Sequence, residues 1–198
     1  MLIADKMEEL TCGVFRWEGF SPDHRVELTS HAVVTQGRLF CFDPIPLAND
    51  PFDELSRRAV PAAIVLTNEN HERDAALWRE RWQVAIWAAP DATLRLHDVK
   101  HFLAGQTEWE GWRLHWLPGG AGGELAFRFA GLSLVVFGDA IVNLPKRGLE
   151  LLPEKYCCDQ GQLRQNLRRL LQEPFERALM AHGQPIPESA STKIAGLL

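Results

Sequence analysis

Two unbroken apolar runs set the tightest limit on how this chain folds. AAIVLT, residues 62–67, and LSLVVF, residues 132–137, lack the alternation of apolar and polar side chains that marks a half-solvated strand. Successive strand side chains point to opposite sides, so a continuous apolar run belongs to a strand covered on both faces. Each run stops abruptly at polar residues. The first continues into NENHERDA, the second into Gly138 and Asp139. Buried strands thus deliver polar side chains at their ends.

The flanking segments read as a first set of strands, then alternating helices and strands. CGVFRW (12–17) and HAVVTQGRLFCF (31–42) predict β-structure with a turn at Gln36-Gly37 and a stop at Asp43-Pro44. DPFDELSRR (50–58) predicts a short helix with Asp50 or Asp53 near its start. Residues 71–83 predict another, with Trp78 and Trp82 forming a core stripe four residues apart. AIWAAP (85–90) predicts a strand, and DATLRLHDVKHF (91–102) a short helix or an irregular segment. Trp112, Leu114 and Trp116 alternate along one strand face, and ELAFRF (124–129) follows a glycine-rich turn. A helix near residues 160–172 turns its leucines inward and leaves Arg164, Arg168 and Arg169 on a solvated face. A strand RALMAH (177–182) and a helix near residues 189–197 close the chain. The expected architecture is sheets with helices outside, in one domain spanning residues 1–198.

A net charge of -5 excludes a general nucleic-acid binder, which needs surplus Lys and Arg to displace counterions from phosphates. MLIADKMEEL lacks the basic region and apolar run of a secretory signal, and no run approaches the ~20 apolar residues of a membrane span. Four cysteines without a CxxC pair predict reduced thiols in the cytoplasm.

Five segments occur in a telling order: LFCFDP (39–44), IVLTNENHER (64–73), LPGGAGGE (117–124), LVVFGDAIV (134–142) and LMAHGQP (179–185). They resemble the landmarks of the metallo-β-lactamase fold superfamily: a strand ending in Asp, T-H-x-H-x-D-H, P-G-H-x-x-G, a strand ending in Gly-Asp, and a Gly-His-Gly turn. The resemblance implies an α/β (α+β) fold, a four-layer αββα sandwich with metals at one edge. On the family pattern Asn68 and Asn70 stand where histidines belong, Glu72 replaces the aspartate, Arg73 another histidine, and Gly120 the histidine of the third segment. Asp139 and His182 match as they stand.

Zinc takes imidazole, thiolate or carboxylate donors, and a catalytic site supplies three while leaving a position open for water. An Asn amide is a poor zinc donor, glycine has no side chain, and a guanidinium repels a cation. The resemblance therefore implies a pocket of Asn68, Asn70, His71, Glu72, Arg73, Gly120, Asp139 and His182 without a dinuclear centre. At most one divalent ion, zinc or manganese, remains, held by Asp139 and His182 with Glu72 or His71. His71 either covers the start of the following helix or turns inward as a ligand. His182 and Asp139 serve either a pocket or local structure, and Glu72 and Arg73 either face the pocket or sit in the first turn of a helix in water. Facing the pocket, Arg73 is expected to pair with Asp139 and Glu72 in place of a metal, leaving a site for a small polar or anionic ligand.

Two functions follow: a metallo-β-lactamase-like ligand-binding or interaction module, or a hydrolase with a rebuilt, at most mononuclear site. A purely structural subunit is a third. His97 and His101 read as a surface pair, and Cys157 and Cys158 as buried small residues. PGGAGGE lacks the Lys and Ser/Thr of a phosphate loop and joins two strands.

Overall fold

The computed structural model describes residues 2–198, and their contacts group them into two compact units with interleaved chain segments. The first takes in the chain up to Leu66, His71–Ala88 and Leu94–His101. Its seven strands form one sheet in sequence order: β1 (Glu8–Thr11), β2 (Val14–Ser21), β3 (Val26–Thr35), β4 (Arg38–Phe42), β5 (Val60–Val65), β6 (Ile86–Ala88) and β7 (Lys100–His101). The first four run antiparallel, and β3 turns into β4 through Gln36 (φ 51°) and Gly37 (φ 74°). Two consecutive left-handed residues match the twist of a two-residue hairpin.

From β4 to β7 the pairing is parallel, which requires crossover connections. Helices α1 (Asn49–Ser56) and α2 (Ala75–Trp82) supply the first two. They seal the unit's core with aromatics: Trp78 stacks on Trp17 at 5.2 Å and meets Trp82 edge-on at 4.8 Å. Both Trp17 and Trp78 donate their indole N–H to the Ile45 carbonyl, each at 3.0 Å. This satisfies two buried donors with one acceptor.

Helix α2 starts at Ala75, not at residue 71. Glu69–His71 makes a single 3-10 turn, and Arg73 has a φ of 41°, a left-handed conformation that cannot continue into a right-handed helix. Residues 91–102 are irregular apart from β7, and His97 and His101 are both exposed.

The second unit comprises Thr67–Asn70, Ala89–Thr93 and Phe102–Leu198. Its five-stranded sheet has the order β14-β11-β10-β9-β8, built from β8 (Glu108–Trp109), β9 (Trp112–Trp116), β10 (Leu125–Phe129), β11 (Leu134–Phe137) and β14 (Arg177–Met180). Every residue of β11 is buried, as its unbroken apolar run requires. Strands β12 (Ile141–Leu144) and β13 (Gly148–Leu151) form a separate hairpin.

Helix α3 (Gln160–Leu170) is capped by the Asp159 side chain, which accepts the Gln162 N–H at 3.0 Å. Leu163, Leu167 and Leu170 are buried. The arginines opposite them are more than a solvated face: Arg164 and Arg168 donate to the carbonyls of Leu197 and Leu198, beyond helix α4 (Ala190–Ala195). Cys157 is half-buried and Cys158 exposed, so the expectation of two buried thiols fails. They lie in the loop before α3, where the Cys158 and Asp159 N–H groups bond Gly120 and Gly119 carbonyls. Among the described residues no helix is long and apolar enough to cross a membrane.

Candidate functional site

In the second unit the parallel register of β11 and β14 pairs Phe137 with Met180. Two residues beyond that pair, each strand has released a polar side chain: Asp139 after β11, His182 after β14. They meet with His182 Nε2 3.2 Å from Asp139 Oδ1. The same register that buries the apolar run therefore aligns the two residues that match the family pattern.

The other Asp139 oxygen accepts from Asn68. This side chain, 1% exposed, donates Nδ2 to Asp139 Oδ2 at 3.1 Å and to Glu124 Oε2 at 2.9 Å. Its Oδ1 accepts the Asn70 N–H at 2.9 Å, which fixes the orientation of the amide. Glu124, 3% exposed, uses Oε1 to accept the N–H groups of Asp139 at 2.8 Å and Ala140 at 3.0 Å. Asn70 itself is exposed. Gly120 belongs to the turn joining β9 to β10, so this glycine-rich segment connects strands and opens no helix.

Glu124 was not among the residues singled out from the sequence. Its one sequence signal is position: a carboxylate directly before Leu125, Ala126 and Phe127, all buried. A charge at the head of a buried strand needs donors, and here the turn after β11 supplies two of them.

Three further residues of the expected pocket lie in the first unit. His71 Nδ1 is 3.0 Å from Asp43 Oδ2, and both side chains are buried. Its imidazole is thus oriented by the carboxylate that ends β4. Glu72 directs its carboxylate to the N–H groups of Arg95 and Leu96 and to the Arg95 guanidinium. Arg73 donates to the carbonyls of Thr29 at 2.7 Å and Asp43 at 2.8 Å.

The expected pairing of Glu72 with Arg73 is therefore replaced by Glu72 with Arg95. The left-handed backbone at Arg73 sends its guanidinium to carbonyls at the β3 and β4 strands, while Glu72 anchors residues 95–96. Neither residue is a helix residue in water, since Glu72 is buried and both precede α2.

Burial alone raises the Glu72 pKa, but the Leu96 N–H and the guanidinium and N–H of Arg95 outweigh it and hold the carboxyl below its ordinary range. Its contribution is complete above the unfolded value of about 4.3 and fades as pH falls through the lower folded value. Because Arg95 is 93% exposed, solvent screens the ion pair, and the Leu96 and Arg95 N–H bonds carry most of the effect. Glu72→Ala is expected to cost about 1.5 kcal/mol at pH 7. Urea unfolding should show the gap to the parent narrowing at pH 3; a gap independent of pH rules the carboxylate out as its source.

Comparison of the whole fold with solved structures gives clear matches. The DIM-1 metallo-beta-lactamase superposes with a TM-score of 0.74 at 15% identity, covering 98% of this chain and 96% of that one. TMB-1 gives a TM-score of 0.72 at 16% identity, covering 97% and 95%. A metallo-beta-lactamase from Pontibacter korlensis gives 0.72 at 15% identity, covering 100% and 98%. The chain has the metallo-β-lactamase fold. No family model matches the sequence, and no curated protein does.

Proposed function

We propose that this chain carries the metallo-β-lactamase fold as a ligand-binding or interaction module, without dinuclear zinc hydrolysis. The observation that carries this reading is the direction of the Asn68 amide. A metal ligand must turn an electron pair towards the ion, whereas Asn68 turns its N–H groups towards Asp139 and Glu124.

The remaining donor chemistry agrees. Glycine at position 120 contributes no donor, Arg73 brings a permanent positive charge, and the Glu72 carboxylate is engaged by Arg95 and Leu96. A dinuclear centre does not fit these residues. The occupant we propose is a small polar or anionic molecule. A cytoplasmic location is proposed from the four free thiols.

A second reading is a hydrolase with one divalent ion, zinc or manganese. It is favoured by Asp139 and His182, which match the family pattern and meet at 3.2 Å, with Glu72 or His71 as the proposed third donor. Three such donors are the number a mononuclear catalytic site uses, and an ion there would supply a hydroxide near neutral pH. Here His71 is already oriented by Asp43, as metal-bound imidazoles usually are by a carboxylate or carbonyl.

Elemental analysis of protein purified without added metal, then titration with zinc and manganese, separates the two. The module reading expects substoichiometric metal and no turnover of a chromogenic β-lactam or phosphodiester. One tightly held ion, lost in His182→Ala, would establish the second reading, and a stoichiometry close to two would overturn both.

A further inference from the structure

We infer that Glu124, outside the ligand positions of the family pattern, organises the polar cluster of the second unit in place of a cation and keeps a cation out. The inference deepens the module reading and rests on it.

Space is the first argument. A Cβ built on Gly120 would lie 3.0 Å from Glu124 Cγ and 3.3 Å from its Cβ. Side chains do not pack that closely without displacement, so a ligand side chain at position 120 competes with the stem of Glu124. The third segment has glycine where the family pattern has histidine, and the stem of a glutamate four residues later passes in front of it.

Connectivity is the second. A metal centre ties together segments distant in sequence by drawing their donors to one point. Here the Glu124 carboxylate draws in Asn68 Nδ2 from the loop after β5 and the N–H groups of Asp139 and Ala140 from the turn after β11. Ionised carboxylate oxygens accept such bonds about twice as strongly as neutral acceptors, which suits one side chain to this task.

Backbone shape is the third. A Cβ on Gly138 would stand 2.9 Å from both Glu124 Oε1 and Asn68 Nδ2, and 2.5 Å from Thr67 Oγ1. The chain before Asp139 is thus open only to a residue without a side chain, and the Glu124 carboxylate fills the room. The Asn68 N–H groups lie between the carboxylates of Glu124 and Asp139, where a cation would otherwise balance their charge.

The test is a double-mutant cycle on Glu124 and Gly120, with melting temperatures read in EDTA. Glu124→Ala is expected to lower the melting temperature by about 6 °C, the scale for orphaning buried donors in a chain this long. Glu124→Gln, which keeps an oxygen for the Asp139 and Ala140 N–H groups, should lose less than half of that. Gly120→Ala should destabilise the parent but not the Glu124→Ala background. Zinc competition against a chromogenic chelator supplies the second readout: N68H/G120H should gain at least about tenfold in zinc affinity when E124A is added. Equal zinc affinity with and without E124A, or Glu124→Ala melting with the parent, overturns the inference. Should Glu124→Ala aggregate, Glu124→Gln melting about 6 °C or more below the parent also overturns it. Tightly bound zinc in the parent protein sinks the module reading instead, whatever Glu124 does.

Discussion

Trp78→Ala is expected to destabilise the protein by about 4 kcal/mol, the range for removing a buried tryptophan, and to lower its melting temperature by about 12 °C. The indole stacks on Trp17, stands edge-on to Trp82 and lies 4.9 Å from Phe52. Its N–H shares the Ile45 carbonyl with Trp17, so deletion leaves that acceptor satisfied and the loss is chiefly packing. Trp78→Phe separates the contributions: it keeps a stacked ring, drops one hydrogen bond, and should cost about 1.5 kcal/mol. Thermal and urea unfolding of both variants provide the measurement. A loss below about 1 kcal/mol for the alanine variant would show that the cavity collapses and that this cluster does not hold α2.

The same residues show what the sequence made legible. Trp78 and Trp82 announced themselves by a four-residue spacing in a segment of helix-forming residues, which a helix turns into one face. Strand β11 and the second half of β5 were legible because burial on both faces removes polar residues from every position. Strands β12 and β13 were not: Pro145, Lys146 and Arg147 interrupt the alternation, and the hairpin is short. The start of α2 was misplaced because nothing in the composition of HERDA marks Arg73 as left-handed. That conformation accompanies contacts to carbonyls of residues 29 and 43, far away in sequence.

The site divides in the same way. Asp139 and His182 could be found from two segment ends because a parallel register brings equivalent positions to one level. Glu124 could not. Its partner Asn68 is separated from it by 56 residues, and which way a carboxylate points after a glycine-rich turn depends on where that turn lays the backbone. The positions that depart from the family pattern can be read from the sequence, whereas Glu124 lies outside that pattern. Arg73 and Glu72, adjacent and opposite in charge, invited a pairing that backbone geometry does not provide.

Acid should expose the other large electrostatic strain in the molecule, at His115. The cross-strand register sets Arg113 opposite Arg128 on β9 and β10, and His115 follows Arg113 by two residues on the same face. Burial and then the two guanidinium charges depress the imidazole to about 4, with Glu173 opposing them. Glu173 pairs with both arginines, so it offsets only part of their repulsion for a second cation. Among the described residues His115 Nε2 has no hydrogen-bond partner, so a proton there gains nothing in return. With the folded value below the unfolded value of about 6.5, the unfolded chain takes up the proton first. Stability is then complete above about pH 6.5 and is lost as pH falls towards 4. The full shift corresponds to about 3.4 kcal/mol; His115 is only partly buried, and screening reduces the expected loss to about 2–3 kcal/mol. His115→Gln removes the titrating group at similar size, so its stability should fall less over this interval by that amount. Urea unfolding at pH 7, 5.5 and 4 measures the difference. Parallel losses in parent and variant would assign the acid sensitivity to other groups and leave His115 electrostatically silent.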